Sequence, residues 1–459
     1  MKPMHRFIAG AVLAMFAGGA GAAANPEELK QLGTTLTAWG AEKAANKDGT
    51  IPAYTGGLTQ TPAGVQVPKD GRLPNPFASE KPLFSIDAKN VDKYADKLTV
   101  GQLDLIKRYP GFRLDVYPGH RTFPEMPKTL QQNAIRNAGS ADCKTTPDGT
   151  GLRGCWGGTP FPLPKTGYEA MWNHIVRWRP TFEYRAESRL VSPSGETVLN
   201  QSQAYVEFPY WEADFKPYEA GGQYLQRFVN MSIGPARDAG NVSMVFFPLQ
   251  NDNIDQRTWS YTPGQRRVRL APEFSYDTPS AQMGGAMNYD EIGLFAGKMD
   301  RYDFKLVGKR EKYVPSNNYD IVFGKNRAAI LGKQFILPEA NRYELRRVWV
   351  VEATLKAGKR HVAPKRTFYL DEDSWTAVAA EVYDSSGKLA RVQEGYSLTD
   401  YTAGTWISAS FFTSYDLPKG QYAAVNLIGI MDSGFYRKLP QRRPERSLTP
   451  ESLASSGLR

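Results

Sequence analysis

The sequence predicts an α+β chain dominated by one large antiparallel β-sheet. Aromatic residues are 12% of its 459 residues, and 42 glycines with 32 prolines interrupt it at short intervals. That mixture suits many strands joined by turns, not a helical bundle. From residue 181 onward the apolar residues alternate instead of recurring at helical spacing. The alternating runs are separated by short turns, which joins neighbours as hairpins and makes the sheet antiparallel.

Residues 1–24 read as a cleavable secretory signal. Lys2 and Arg6 supply the positive start, Phe7 to Phe16 is a short apolar run, and Ala22-Ala23-Ala24 offers cleavage registers. No Cys follows, and no later stretch reaches about 18 uninterrupted apolar residues. The expected mature protein is therefore a soluble resident of the bacterial periplasm. Its net charge of +10 falls to +8 when Lys2 and Arg6 are removed. That charge implies either a plain basic surface or attraction to anionic lipid head groups or acidic polymers. Nucleic acid is not an expected partner in this compartment.

The only cysteines are Cys143 and Cys155. An even count in an oxidising compartment predicts a disulfide closing the Gly-rich loop Lys144 to Gly154. A metal site would need further ligands, and no His is nearby in sequence, so no metal and no cofactor are expected.

Residues 25–165 form an N-terminal helical and extended region. Ala38 to Lys47 is helix-forming until Asp48-Gly49 and Pro52 stop it. Pro62 to Pro82 is irregular. Thr99 with Gln102 makes a capping box before Leu103, Leu105 and Ile106, and Pro110-Gly111 ends that helix. Residues 112–165 are again Pro- and Gly-rich. A second box, Thr166 with Glu169, opens the helix Tyr168 to Arg179. There Tyr168, Trp172, Ile175 and Arg179 share one face, and Pro180 ends it. This helix is the candidate lid.

The sheet then follows within 166–432. Its strands are Phe182–Leu190, Thr197–Phe208, Gln223–Ile233, Asn241–Leu249, Arg257–Tyr261, Arg266–Leu270, Tyr302–Tyr313, Arg342–Leu355, Lys365–Leu370, Trp375–Tyr383 and Lys388–Ser397. A helix is expected around Asp290 to Met299. The segment 433–459 is a basic tail, Arg- and Pro-rich from Tyr436, and reads as an exposed arm.

Catalytic signatures are missing: no G-x-S-x-G, H-E-x-x-H, P-loop or dinucleotide fingerprint occurs. His120, His174 and His361 stand far apart; His174 reads as a packed helix residue and His361 as exposed. Asp371-Glu372-Asp373 could hold a cation or act as an acid pair, but between two strands it reads first as a turn. Asp300 and Asp303 beside Arg301 read as local pairing. What is abundant is aromatic and basic material on the sheet. The bland reading is an ordinary core with a basic solvent face. The sharper one is a sheet holding an apolar ligand, with arginines for an anionic head group. On that reading Trp172, Ile175, Trp259, Trp349, Phe368 and Trp375 line the ligand, and Arg267, Arg347 and Arg366 meet its head group.

The run Leu36-Thr-Ala-Trp-Gly-Ala-Glu-Lys-Ala-Ala-Asn-Lys-Asp-Gly-Thr-Ile-Pro-Ala-Tyr-Thr-Gly-Gly57 resembles the N-terminal hallmark of an exported proteobacterial family, domain of unknown function 1329. Asn75 to Pro82, Leu105 to Gly111, Gly157 to Pro162, Met171 to His174, Pro263 to Val268, Arg301 to Asp303, Arg342 to Glu344, Arg347 to Trp349 and Lys365 to Trp375 match as well. The hallmark often has Pro where Ala38 stands and Trp where Tyr54 stands. The resemblance implies a fold similar to the lipoprotein carriers LolA and LolB: a strongly curved antiparallel sheet, a half-barrel, with helices packed across its open side. It also implies work beside an inner-membrane transporter and an outer-membrane partner on a hydrophobic or lipid-like ligand. It carries no catalytic residues. The expected function is a periplasmic carrier; an envelope enzyme acting on lipid or glycan and a structural adaptor are the alternatives.

Overall fold

The computed structural model describes residues 23–212, 224–249, 256–270, 276–280, 283–431 and 434–456. The signal segment lies outside them except for its last two residues. Between 23 and 165, prolines and glycines keep regular elements short. They are α1 (Pro26–Gln31), β1 (Phe84–Ile86), α2 (Val100–Arg108), β2 (Leu114–Val116), α3 (Lys128–Gly139) and the ribbon of β3 (Lys144–Thr145) and β4 (Leu152–Arg153). Cys143 and Cys155 are bonded and close that ribbon. The Thr99–Gln102 capping box forms as read.

Residues 38–47 are not the expected helix. Gly40 sits at φ +94, and a Cβ there would lie 1.8 Å from the Pro162 carbonyl oxygen. The chain is pinned as a tight loop, with Thr37 donating to the Ala41 carbonyl and Lys43 to that of Thr35. The loop drives Ala38, Trp39 and Ala41 into the core. Helix propensity loses to that burial. Helix α3, in contrast, gave no sequence signal. Its inner face carries Asn133 and Asn137 beside Leu130 and Ala134. The Asn137 amide instead donates to the Gly158 and Thr159 carbonyls at 3.2 and 3.3 Å.

After α4 (Gly167–Ile175) the sheet runs through β5 (Phe182–Ser192), β6 (Gly195–Glu207), β7 (Tyr224–Gly234), β8 (Val242–Pro248), β9 (Arg257–Thr262) and β10 (Arg267–Leu270). It continues through β11 (Tyr302–Pro315), α5 (Tyr319–Phe323), β12 (Arg342–Leu355), β13 (Lys365–Asp371), β14 (Ala377–Tyr383), β15 (Leu389–Asp400), β16 (Thr405–Asp416), β17 (Gln421–Leu427) and β18 (Arg437–Lys438). The spatial order places β11 beside β12, then β13 to β17, then β5 to β10. Every pair on that path is antiparallel; β2 joins β12 as a parallel partner. The edges β11 and β10 do not pair, so the sheet is an open half-barrel.

The sequence pattern does not predict strands β16 and β17. Phe411 and Phe412, and Tyr422 to Val425, are buried at successive positions. A strand buried on both faces loses alternation.

The open side is crossed by α4, which packs on β11 and β12, and by the turn Tyr289–Leu294 against β14 to β16. That turn is a 3-10 segment interrupted at Ile292 and Gly293, not a regular helix. The core beneath holds Trp39, Trp172, Phe368, Trp375, Phe411 and Tyr396, all at most 2% exposed. On the opposite face, the Gly101 N–H of α2 donates to Glu381 at 2.8 Å.

The tail is not a free arm. β18 pairs with β5, and α6 (Pro450–Ser456) lies on β8 to β10. Leu448 and Leu453 fill a second apolar cluster with Tyr205, Val242, Met244 and Tyr261. Few apolar residues sufficed, because each lands on a sheet face otherwise bare.

Candidate functional site

Two places gather unusual chemistry: a buried charge network around residues 371–373, and an apolar cleft at the rim of the half-barrel.

The turn after β13 is a turn, as read. The Asp371 carboxylate accepts from the backbone N–H groups of Asp373 and Ser374 at 3.1 and 3.0 Å. The structure also fills it with arginines. Asp373 accepts from Arg121 at 2.5 Å and from Arg346 at 2.7 Å. Asp371 takes Arg346 at 3.1 Å, and Glu372 takes Arg347 at 3.2 Å and Lys309 at 3.0 Å. Burial would raise the Asp373 carboxyl, but Arg121 and Arg346 outweigh it and hold it below the ordinary carboxylate range. These cations occupy the space a metal would need. No cluster able to hold a metal ion occurs among the described residues.

The histidines are likewise engaged. His174 is fully buried; its Nδ1 accepts from the Ala377 N–H at 3.1 Å, and burial holds it neutral. His361 is a correction: its ring is buried, 3.0 Å from Asp290 and 5.3 Å from the Tyr302 ring. His120 meets Glu80 at 2.7 Å and stacks on Phe77, but Glu80 also takes Arg342 at 2.7 Å. Arg301 turns to Asp277 at 3.5 Å and lies over Tyr276.

Of the nine residues expected at a ligand, the structure gathers some and separates others. Trp172, Phe368 and Trp375 are buried in the main core, with half-buried Ile175 and Trp349 packed against it. Trp349 stacks on Trp375 at 5.9 Å. The Trp172 and Trp375 indoles donate to the carbonyls of Gly149 and Trp39, both at 2.9 Å. Trp259 lies apart, under α6, 5.1 Å from Phe246. Arg366 is buried on Asp290 at 2.8 Å, and Arg347 is buried on Glu372. Neither guanidinium faces an open site. Arg267 is exposed at the sheet edge.

The cleft lies elsewhere. Helix α4 stops at Ile175, and the connection to β5 carries Arg179 and Pro180. Thr166 caps the helix by accepting from the Glu169 N–H at 3.2 Å. The Glu169 carboxylate, however, takes the Lys165 N–H at 2.5 Å and so leaves the capping box half made. The Trp211 indole donates to the Val176 carbonyl at 2.7 Å and fixes that connection. Around it Arg179, Pro180, Phe182, Val206, Phe208, Trp406, Ile407 and Phe411 line a space of about 300 Å³, open mouth included, little of it enclosed.

Apart from Arg179 the lining is apolar. The guanidinium stacks 4.0 Å from the Phe208 ring, and among the described residues its one hydrogen bond is a long 3.4 Å contact to the Ile175 carbonyl. Its buried Nε has no partner. Burial first, and the charge of Arg177 second, depress its hold on a proton; no carboxylate among the described residues pairs with it. An arginine kept charged without a counter-ion is a place for an anion. The sequence reading missed this site because Trp406, Ile407 and Phe411 belong to the unread β16. The available signal was Pro180 after Arg179, which ends the helix with that arginine at its mouth.

The half-barrel, the helices over its mouth and a cleft at its rim define the class: an open single-sheet α+β protein with an apolar site of its own. The chain belongs to the DUF1329 family, described as a protein of unknown function, whose model matches residues 85–454. It is 40% identical over 442 residues, 95% of each chain, to a protein of Pseudomonas aeruginosa named uncharacterized protein PA3922. Among solved structures it is similar to a DUF1329 family protein from Desulfovibrio piger, at 14% identity and a TM-score of 0.41 over 62% of this chain and 97% of that one. It is also similar to a domain from Vibrio parahaemolyticus described as an outer-membrane lipoprotein-sorting protein, at 13% identity and a TM-score of 0.42 over 63% and 98%. A LolA superfamily protein from Nitrosomonas europaea is similar at 12% identity and a TM-score of 0.34 over 62% and 98%. No helix among the described residues is long and apolar enough to cross a membrane.

Proposed function

We propose that this chain binds and carries a small amphipathic molecule, its apolar part in the rim cleft and its anionic group on Arg179. One observation supports the reading above others: an apolar lining of aromatic and aliphatic side chains surrounds a guanidinium that has no carboxylate partner among the described residues. The apolar walls repay removal of a hydrocarbon tail from water at about 25 cal/mol per Å². The guanidinium supplies the orientation that an apolar wall cannot. The centre of the half-barrel is packed with side chains, so the ligand sits at the rim and not in the middle. With a signal at residues 1–24, the carrier works in the periplasm, beside an inner-membrane transporter and an outer-membrane partner.

The test is a displacement titration of a fluorescent fatty acid, run against fatty alcohols of equal length. Wild type binds the carboxylate form about tenfold or more tighter, the strength of a charge-assisted hydrogen bond. Arg179→Met removes that preference and keeps alcohol binding. Absence of binding by wild type, or an unchanged preference in the variant, defeats the proposal.

A further inference from the structure

The far edge of the sheet carries a second unexplained feature. Between Gln256 and Leu270 there are four arginines, Arg257, Arg266, Arg267 and Arg269, and no acidic residue. All four are exposed. Several exposed or half-exposed arginines elsewhere find carboxylates, as Arg108 does on Asp104, Arg113 on Glu339 and Arg327 on Glu196. The four on this hairpin have no ion-pair partner among the described residues. Leu270, the last residue of the edge strand, is 65% exposed beside them.

The hairpin's two faces differ. Val268 opposes Tyr261, and both join the apolar cluster closed by α6. Arg269 opposes Ser260 and Arg267 opposes Thr262, so both arginines stand on the other face. Register traces that face back across the sheet: Ser260 opposes Ser243, Ser243 opposes Asn230, and Asn230 opposes Ala204. Two residues beyond Ala204 on the same face of β6 is Val206, which lines the rim cleft. Arg267 and Arg269 thus share one sheet face with the cleft, four strand steps or about 19 Å apart. Leu270, in contrast, opposes Trp259 and stands with Arg257 on the α6 face, so the edge presents basic residues on both sides.

We infer that the β9–β10 edge docks on an anionic lipid bilayer, Arg257, Arg266, Arg267 and Arg269 against head groups and Leu270 at the level of the acyl boundary. Uncompensated arginines are drawn to a negatively charged leaflet. An exposed leucine at the end of the same edge strand gains by entering the interface, which an acidic polymer in water would not offer. The docking stands whether or not the cleft binds a ligand.

The experiment is co-sedimentation of the mature chain with vesicles of phosphatidylglycerol and phosphatidylcholine, against vesicles of phosphatidylcholine alone. Wild type sediments with the anionic vesicles and is released as salt rises. The double variant Arg267→Gln/Arg269→Gln binds on the order of 20-fold more weakly with an unchanged thermal midpoint. Arg327→Gln, at a half-exposed arginine that already has Glu196 as its partner, leaves binding as in wild type. Arg179→Met also leaves it as in wild type, which separates this docking from the cleft. Failure of wild type to sediment, or equal binding by the double variant, overturns the inference. So does salt-sensitive binding to polyglutamate with none to vesicles.

Discussion

Glu394 lies on β15 in the middle of the sheet, fully buried. Both its oxygens accept from the Tyr343 hydroxyl at 2.9 Å, and the Asn341 amide approaches at 3.4 Å. No cation among the described residues faces it, so burial pushes its carboxyl from 4.5 up to about 7, against the weaker pull of its hydrogen bonds from Tyr343, Gln102 and Asn341. The folded chain therefore holds this proton more tightly than the unfolded chain. The stabilisation is complete below pH 4.5 and is lost as pH rises through 7. A displacement of that size is worth about 3 kcal/mol. Glu394→Gln keeps the shape and the hydrogen-bonding capacity but does not titrate. Urea unfolding of both chains at pH 4.5 and pH 8 isolates the effect, because every other titrating group cancels in the double difference. The variant should gain about 3 kcal/mol on wild type between the two conditions. An equal gap at both pH values would refute the reasoning.

Two further outcomes follow from the packing. Asp373→Ala leaves Arg121 and Arg346 buried with their main counter-ion gone, and should lower unfolding free energy by about 3–5 kcal/mol in chemical denaturation. Replacing Cys143 and Cys155 together by Ser opens a link between residues 12 apart; the loss should be about 3 kcal/mol, read as a fall in the urea midpoint.

The hairpins from β5 to β8 and the strand β11 were legible because much of each alternates a wetter with a drier face. Strands β12 to β15, buried on both faces, were legible only through the turn residues and the β-branched and aromatic content that mark them. Arg342–Leu355 was placed to the residue. Legibility failed at β16 and β17, where two-sided burial erases alternation with no comparable run of signals to replace it, and where polar side chains held backbone, as Asn137 does on α3. It failed again at Ala38 to Lys47, where a single glycine contact with Pro162 outranks the helical preference of the residues around it. The aromatics on the sheet were rightly read as abundant, yet most close a core. Which of them meet an opening depended on Trp406 and Phe411, whose strand could not be read, and on Arg179, whose isolation is a property of space and not of sequence. Arg347 and Arg366 show the converse: a basic residue on a strand says nothing about whether a carboxylate from a distant segment will reach it.

The seam between β5 and β17 joins Val191 to Tyr422. A chain that emerges N-terminus first can form the hairpins of β5 to β10 early, but the inner edge of β5 has no neighbour until β17 exists. Non-local pairing of this kind is slow, and an unpaired edge invites foreign strands. The protein should therefore fold as two half-sheets that wait for each other. Truncation anywhere ahead of residue 427 would leave both with raw edges, a defect that points to aggregation and not to a smaller working domain.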